Sequence, residues 1–393
     1  MSHPPFIAVD AAHSNWQTAV DDCLAQLLDT LQRQGHTPAA HPYTLGWLYL
    51  TDYLAPDAEQ ILQRVRERLP GIAWTGATGI GIAVNGVEYI DTPALAVMLA
   101  PLSRESFRLF SGRRPLDPDE AGFKPHTAQV HADGNAPELQ ELLKELAERV
   151  HTGYLFGGLP SSRNETLQIA DEVFSGGLSG VAFDDSVDVI SRVTQGSQPV
   201  GPMRMITRAD DNLVITLEHE PALDCALNDL GLPQDMDTET MAQTFASTLI
   251  GLRIPGDDRS SPPRRFGPDT MVRHIVGIDP ANRMLAVAEE VQAGMNMAFC
   301  RRDASAAMAD LIDIATEIRD EAALSDRQIS GAVYISCAGR GGRHFGAPHA
   351  ELRAIRNVLG DLPLVGFFAG GEIARERLYG YTGVLTVFTS PLQ

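Results

Sequence analysis

The sequence predicts a mixed α/β fold in two lobes, with helices packed on twisted mixed sheets. Three observations carry this. Hydrophobic strands run straight into Gly-rich turns at 335–342 and 364–373; a strand, helix, strand, Gly-rich turn, strand pattern recurs along the chain; and the stretches 203–218 and 271–288 alternate apolar and polar residues with β-branched enrichment. A chain of 393 residues exceeds the usual single-core size, so two domains are expected, 1–190 and 191–393.

The elements follow in order. Val20, Leu24, Leu27, Leu28 and Leu31 share one helical face. A strand at 46–50, a helix at 56–69, the segment Leu69-Pro70-Gly71-Ile72-Ala73-Trp74 and the apolar run 95–102 form the first copy of the repeat. A second copy is weaker: strand 127–131, a helix from Glu138 with Leu139, Leu142, Leu143, Leu146 and Val150 on one stripe, strand 153–156 entering Gly157-Gly158, and strand 179–183. Segments 203–218 and 271–288 read as antiparallel hairpins, and 111–125 and 253–268 as exposed, mobile loops. Asp303 is placed to cap a helix bearing Met308, Leu311, Ile312, Ala315 and Ile318. The last copy has strand 331–336, helix 349–359, Leu362-Pro363-Leu364-Val365-Gly366-Phe367-Phe368 and the run 385–392.

Composition excludes several classes. A net charge of -20, with Lys and Arg clustering only in pairs such as Arg113-Arg114 and Arg301-Arg302, opposes nucleic-acid or anionic-lipid binding. The longest apolar runs fall short of the ~20 residues a membrane helix needs, and the start lacks a leader pattern, so a cytoplasmic protein without membrane insertion is expected. Cys23, Cys225, Cys300 and Cys337 form no CxxC pair and read as reduced thiols. GxSxG, HExxH and P-loop motifs are missing from the sequence, and Gly79-Ile80-Gly81 fails as a dinucleotide fingerprint.

The candidate site lies at the Gly-rich turns. Gly341, Gly370 and Gly371, with Gly157 and Gly158, leave room for backbone amides to approach a ligand. Arg340 offers a planar fork for a carboxylate and Glu372 an acceptor for an ammonium, together matching a free amino acid, unless the two pair with each other. Cys337 ends the strand before the turn, and Trp74 is placed beside the same pocket. The strings Cys337-Ala338-Gly339-Arg340-Gly341 and Gly366-Phe367-Phe368-Ala369-Gly370-Gly371-Glu372-Ile373 resemble the signature of the FIST family, sensory modules of bacterial signalling proteins and of a eukaryotic F-box protein. Tyr154 to Leu159 and Gly176 to Val181 resemble its N-terminal domain, and Pro199 to Pro202 and Pro221 to Leu223 its C-terminal domain.

The resemblance implies a small-ligand-binding sensor, with amino acids as the family's proposed ligands and haem-binding gas sensing in some members. Both halves of the chain are occupied by the resemblance, so a separate signalling partner is expected to read ligand-driven lobe closure. Alternatives are a Cys337-centred hydrolase or transferase with His344 or His349 as base, a haem sensor using His151, His219 or His274, and a non-catalytic scaffold. No CxxCH haem attachment motif occurs, no resident cofactor is expected, and the Cys337, His344 and His349 spacing matches no tight zinc pattern.

Overall fold

A computed structural model of the chain describes residues 5–246, 248–253, 270–342 and 344–392. By internal contact these divide into one unit of residues 1–194 with 308–393 and a second of residues 195–307. The loop expected at 253–268 lies, beyond Arg253, outside the described residues.

The first unit is three copies of one motif, each centred on a parallel strand pair joined by a helix. The pairs are Leu45–Thr51 with Ala73–Gly79, Thr127–Ala132 with Tyr154–Gly158, and Arg327–Cys337 with Leu364–Ala369. Their helices are Ala58–Arg68, Leu139–Glu148 and Ala350–Leu359. In every copy a closing strand returns antiparallel to the first strand of its own pair: Ala94–Ala100, Leu178–Phe183 or Gly383–Pro391. An edge strand follows beyond it, Ile7–Ala12, Phe107–Ser111 or Val189–Thr194.

On the other flank, each sheet is completed by a hairpin from a different copy. Gly81–Val84 and Val87–Ile90 leave the first copy and pair onto Leu364–Ala369 of the third. Glu372–Ala374 and Arg377–Tyr379 leave the third and pair onto Tyr154–Gly158 of the second. Gln168–Ala170 and Val173–Phe174 leave the second and pair onto Ala73–Gly79 of the first. The exchange is cyclic, so no copy can complete its sheet alone. This is why the spatial grouping differs from a division at residue 190: the hairpin exchange draws the third copy together with the first two.

Burial on both faces explains the strand composition. Leu45–Thr51 and Ala94–Ala100 are buried at every position, as strands covered on two sides must be. Their inner faces join Trp47, Phe156, Phe183, Phe367 and Phe388 in a core shared by all three sheets. The outer faces are covered by helices, with Trp16–Arg33 and Ala58–Arg68 over the first sheet and Ala304–Leu324 from Met308 onward, with Ala350–Leu359, over the third. The Asn15 side chain accepts the Thr18 N–H at 2.9 Å and starts the first helix, and Asp303 caps Ala304–Leu324 by accepting the Ala306 N–H at 2.8 Å.

The second unit is antiparallel throughout. Asn296–Arg302, Arg204–Asp210, Leu213–Leu217, Met284–Val287, Met271–Asp279 and Leu249–Arg253 pair in sequence, and Leu249–Arg253 returns to Asn296–Arg302, closing a six-stranded ring. The expected hairpins are present here. Two helices that the sequence reading did not anticipate, Ala222–Leu230 and Thr238–Ala246, pack Leu223, Leu227, Met241 and Phe245 into this unit's own core.

Candidate functional site

The two signature turns lie side by side at the carboxyl ends of the third parallel pair, the end of such a pair where open α/β sheets bind ligands. Arg327–Cys337 leads into the Arg340 turn and Leu364–Ala369 into Gly370-Gly371-Glu372. The Ala338 N–H donates to the Ala369 carbonyl at 2.8 Å and ties one turn to the other.

Arg340 and Glu372 are both buried, but they do not pair with each other. The ion pair of Arg340 is with Glu351, in the first turn of Ala350–Leu359, and each side chain is only 1% exposed. Arg340 Nε and Nη2 donate to Glu351 Oε1 at 3.0 and 2.7 Å, Nη1 donates to the Tyr381 carbonyl at 3.3 Å, and the guanidinium lies 5.4 Å from the Phe345 ring centroid. Tyr334 and Ser336 also donate to Glu351, at 2.7 and 2.8 Å. Burial alone would weaken the Arg340 charge, but Glu351, Tyr334 and Glu372 together outweigh it and hold the guanidinium charged.

Glu372 is fully buried. Its Oε2 accepts the Thr382 N–H at 3.1 Å and the Thr382 hydroxyl at 2.7 Å, whereas Oε1 has no hydrogen-bond partner. Burial pushes this carboxyl up to about 8, against the opposing pull of the Thr382 bonds and of Arg340. A third carboxyl, Glu88, accepts the His349 N–H at 3.3 Å, while His349 Nδ1 accepts the Glu88 N–H at 2.9 Å. Burial first and Glu351 second push Glu88 up to about 7.

The threefold repeat shows what the fold asks for at the Glu372 position. Strand registers place Tyr49, Ala77 and Gln168 in one row across the first sheet, His131, Gly158 and Glu372 in the second, and Ile335, Phe367 and Ile82 in the third. Glu372 therefore corresponds to Gln168 and Ile82. Gln168 is held by its amide nitrogen, which donates to the Gly176 and Gly177 carbonyls, while its Oε1 is unpartnered; Ile82 is a plain core residue. The architecture accepts an apolar residue here, so a buried carboxylate is not a requirement of the fold.

The other expected residues are placed as follows. Gly157 and Gly158 are strand residues and not a turn: a Cβ on Gly157 would overlap the Val130 backbone, and one on Gly158 would meet Ile335 and Ala369. Their work is close approach of strands, and Gly158 brings the second sheet against the signature turns. Gly341 is packed against Ile90 and Phe368, and Gly342 needs its positive φ of 69°. The Gly370 N–H and Gly371 carbonyl are bonded to Leu159, at 2.9 and 2.8 Å, so these two groups extend a strand pairing.

Trp74 belongs to the opposite, helix-covered face of the first sheet, where it fills the space above Gly46. Cys337 is buried near Gly339, and His344 contacts the Phe345 ring. Among the described residues, no group of three or more His, Cys, Asp or Glu is arranged to hold a metal ion, and no helix is long and apolar enough to cross a membrane. Sequence reasoning missed Glu351, Glu88 and Thr382. The one signal for Glu351 was its place as the acidic residue in a first helical turn, which reads as ordinary dipole matching.

The FIST N domain model matches residues 44–220 and the FIST C domain model residues 222–375. An uncharacterized protein of Mycobacterium tuberculosis is 30% identical over 375 residues, covering 90% of this chain and 92% of that protein. An uncharacterized protein of Mycobacterium bovis is 28% identical over 357 residues, covering 86% and 88%. FIST domains are associated with sensory signal transduction. With both domain models matched in order and the signature turns adjoining at one strand end, this chain belongs to the FIST family.

Proposed function

We propose that the chain is a cytoplasmic sensory module that binds a small molecule at the turns around Cys337, Arg340, Gly341, Gly370, Gly371 and Glu372, and signals through a separate partner protein. The observation that carries this reading is Glu372: a fully buried carboxyl with one unpartnered oxygen, in the family signature, where the corresponding positions hold Ile82 and Gln168. A buried polar group without a hydrogen-bond partner costs about 1–3 kcal/mol, and a ligand that supplies the partner recovers that cost. Gly339 and Gly370, in the two signature turns, are exposed.

Arg340 is the fixed wall of the site, holding the turn to helix Ala350–Leu359 through Glu351. Ligand binding orders the two turns together, and the ordered surface is what the partner reads; only a ligand with different affinity for the two states shifts that equilibrium. A thermal-shift screen of small polar molecules tests the reading. A ligand at 100 times its Kd adds about 2.7 kcal/mol to the native state. The stabilisation is expected in the wild type and lost in Glu372→Gln; a screen without hits, or hits indifferent to Glu372, overturns it.

A further inference from the structure

The first and third copies of the repeat cover the outer face of their sheet with two helices, the second with one. Trp16–Arg33 and Ala58–Arg68 join the core cluster of the first sheet, and Ala304–Leu324, through Leu311, Ala315 and Ile318, joins Ala350–Leu359 in that of the third. Of the described helices only Leu139–Glu148 contributes to the cluster on the second. Residues 112–126, all of them described, connect its edge strand to its first strand without a helix. We propose that the position left without a helix is a docking surface, and that its occupant is a basic amphipathic helix of a partner protein. The surface shares no residue with the ligand site proposed above, so the two readings stand or fall separately.

Strand registers identify what a helix covers at this position. Ala132 pairs with Leu178 as Leu50 pairs with Leu95, so Leu178 corresponds to Leu95. Aligned by their buried residues, Leu143, Leu146 and Val150 on Leu62, Val65 and Leu69, the two crossover helices set Leu142 against Ile61. Leu95 and Ile61 are wholly buried in the cluster that Trp16–Arg33 completes. Leu178 and Leu142 are partly exposed, and with Phe110, Leu116 and Leu146 they line a cavity of about 230 Å³. That is larger than the ~150 Å³ cavity that holds a benzene ring, so it takes a leucine or phenylalanine side chain from a helix laid along the groove. The connecting loop closes the part of the face over Arg108, which pairs with Glu120 at 2.7 Å and lies 4.6 Å from the Phe123 ring centroid. Gly112 and Pro115, at the cavity, stay exposed.

The same alignment gives the charge of the occupant. Arg64 of Ala58–Arg68 reaches across to Asp21 of Trp16–Arg33 at 2.9 Å. Its counterpart on Leu139–Glu148 is Glu145, which is exposed on the cavity rim, and Glu141 and Glu148 are exposed on the same helix. Arg149, also on the rim, is turned to the loop, where its Nη1 donates to the Leu116 carbonyl at 3.1 Å. The polarity of the helix pair is therefore reversed, and a helix docked here places Lys or Arg where Trp16–Arg33 has Asp21. The net charge of -20 attracts a basic partner in the same sense. An exposed ion pair contributes little affinity, so burial in the cavity supplies the binding and the charges select the partner.

A displayed library of 18-residue peptides, apolar at the buried positions of Trp16–Arg33 and varied elsewhere, tests the proposal on the full-length protein. Binders are expected to carry Lys or Arg at the position equivalent to Asp21 and to protect the amides of residues 110–114 and 142–149 from hydrogen exchange. Their affinity is expected to fall ten-fold or more in Leu178→Arg and in Leu142→Lys, two changes at partly exposed positions whose fold circular dichroism checks. Glu145→Lys is expected to turn the preference toward acidic peptides. A library without binders, or binders indifferent to both leucine substitutions, overturns the docking surface. Binders that need both leucines but ignore Glu145→Lys overturn the basic assignment. Sedimentation of the wild type closes the remaining case: a dimer that Leu178→Arg dissociates makes the occupant a second copy of this chain and overturns the partner helix.

Discussion

At the scale of single residues, Arg340 and Glu351 form a pair whose partners cannot be removed singly. Arg340→Met leaves Glu351 buried without its ion-pair partner, a loss of roughly 3–5 kcal/mol, whereas the double change Arg340→Met with Glu351→Leu is expected to be far milder; urea denaturation of the two variants beside the wild type reads both. The carboxyls predict a pH dependence of definite sign. Glu372 and Glu88 are raised from 4.5 to about 8 and about 7, so the fold binds their protons more tightly than the unfolded chain does. Their stabilisation is full below about 4.5 and is lost as pH rises through 7 and 8. The urea midpoint of the wild type is therefore expected to fall between pH 5 and pH 8.5, and the fall to be smaller in Glu372→Gln; parallel profiles would contradict this. Both Arg340 and Glu372 were legible as special in the sequence because each sits in a Gly-rich turn. Their partners were not, since Glu351 is eleven residues from Arg340 and meets it only when the helix folds back over the strand.

At the scale of elements, the three parallel pairs share one glycine each. Gly76, Gly157 and Gly366 face Leu48, Val130 and Tyr334 in register, and a Cβ at any of them would overlap the facing carbonyl. Alanine at Gly366 is expected to cost about 3 kcal/mol or more, the upper end of overpacking, while alanine at Gly112, whose surroundings are open, should cost far less; thermal melts of the two variants make the comparison. The strands and their helices were readable from periodicity, as for Leu143 and Leu146, which are buried as their spacing demands. Trp74 was misplaced for a reason of parity. Its strand is buried on both faces, so no polar alternation marked which side faced the shared core and which the helices.

At the scale of the whole molecule, the repeat was visible in the sequence but the exchange of hairpins was not, because a hairpin pairs as well with a neighbouring copy as with its own. The closed ring of residues 195–307 carries its own core, in which Leu217, Leu252, Met297 and Phe299 are buried. An excised 195–307 fragment is expected to give a cooperative melt with β-sheet circular dichroism; a fragment without a transition would contradict that independence. The first unit offers no such cut, since deleting the Glu372–Ala374 hairpin also strips a strand from the second sheet.

The most direct test of the account is a crystal structure with the tightest ligand from the screen. The expected result is a polar ligand atom within hydrogen-bond distance of Glu372 Oε1, about 2.7–3.2 Å, with the Arg340–Glu351 pair unchanged. A ligand bound elsewhere, with Glu372 Oε1 bonded to water or protein, would contradict it.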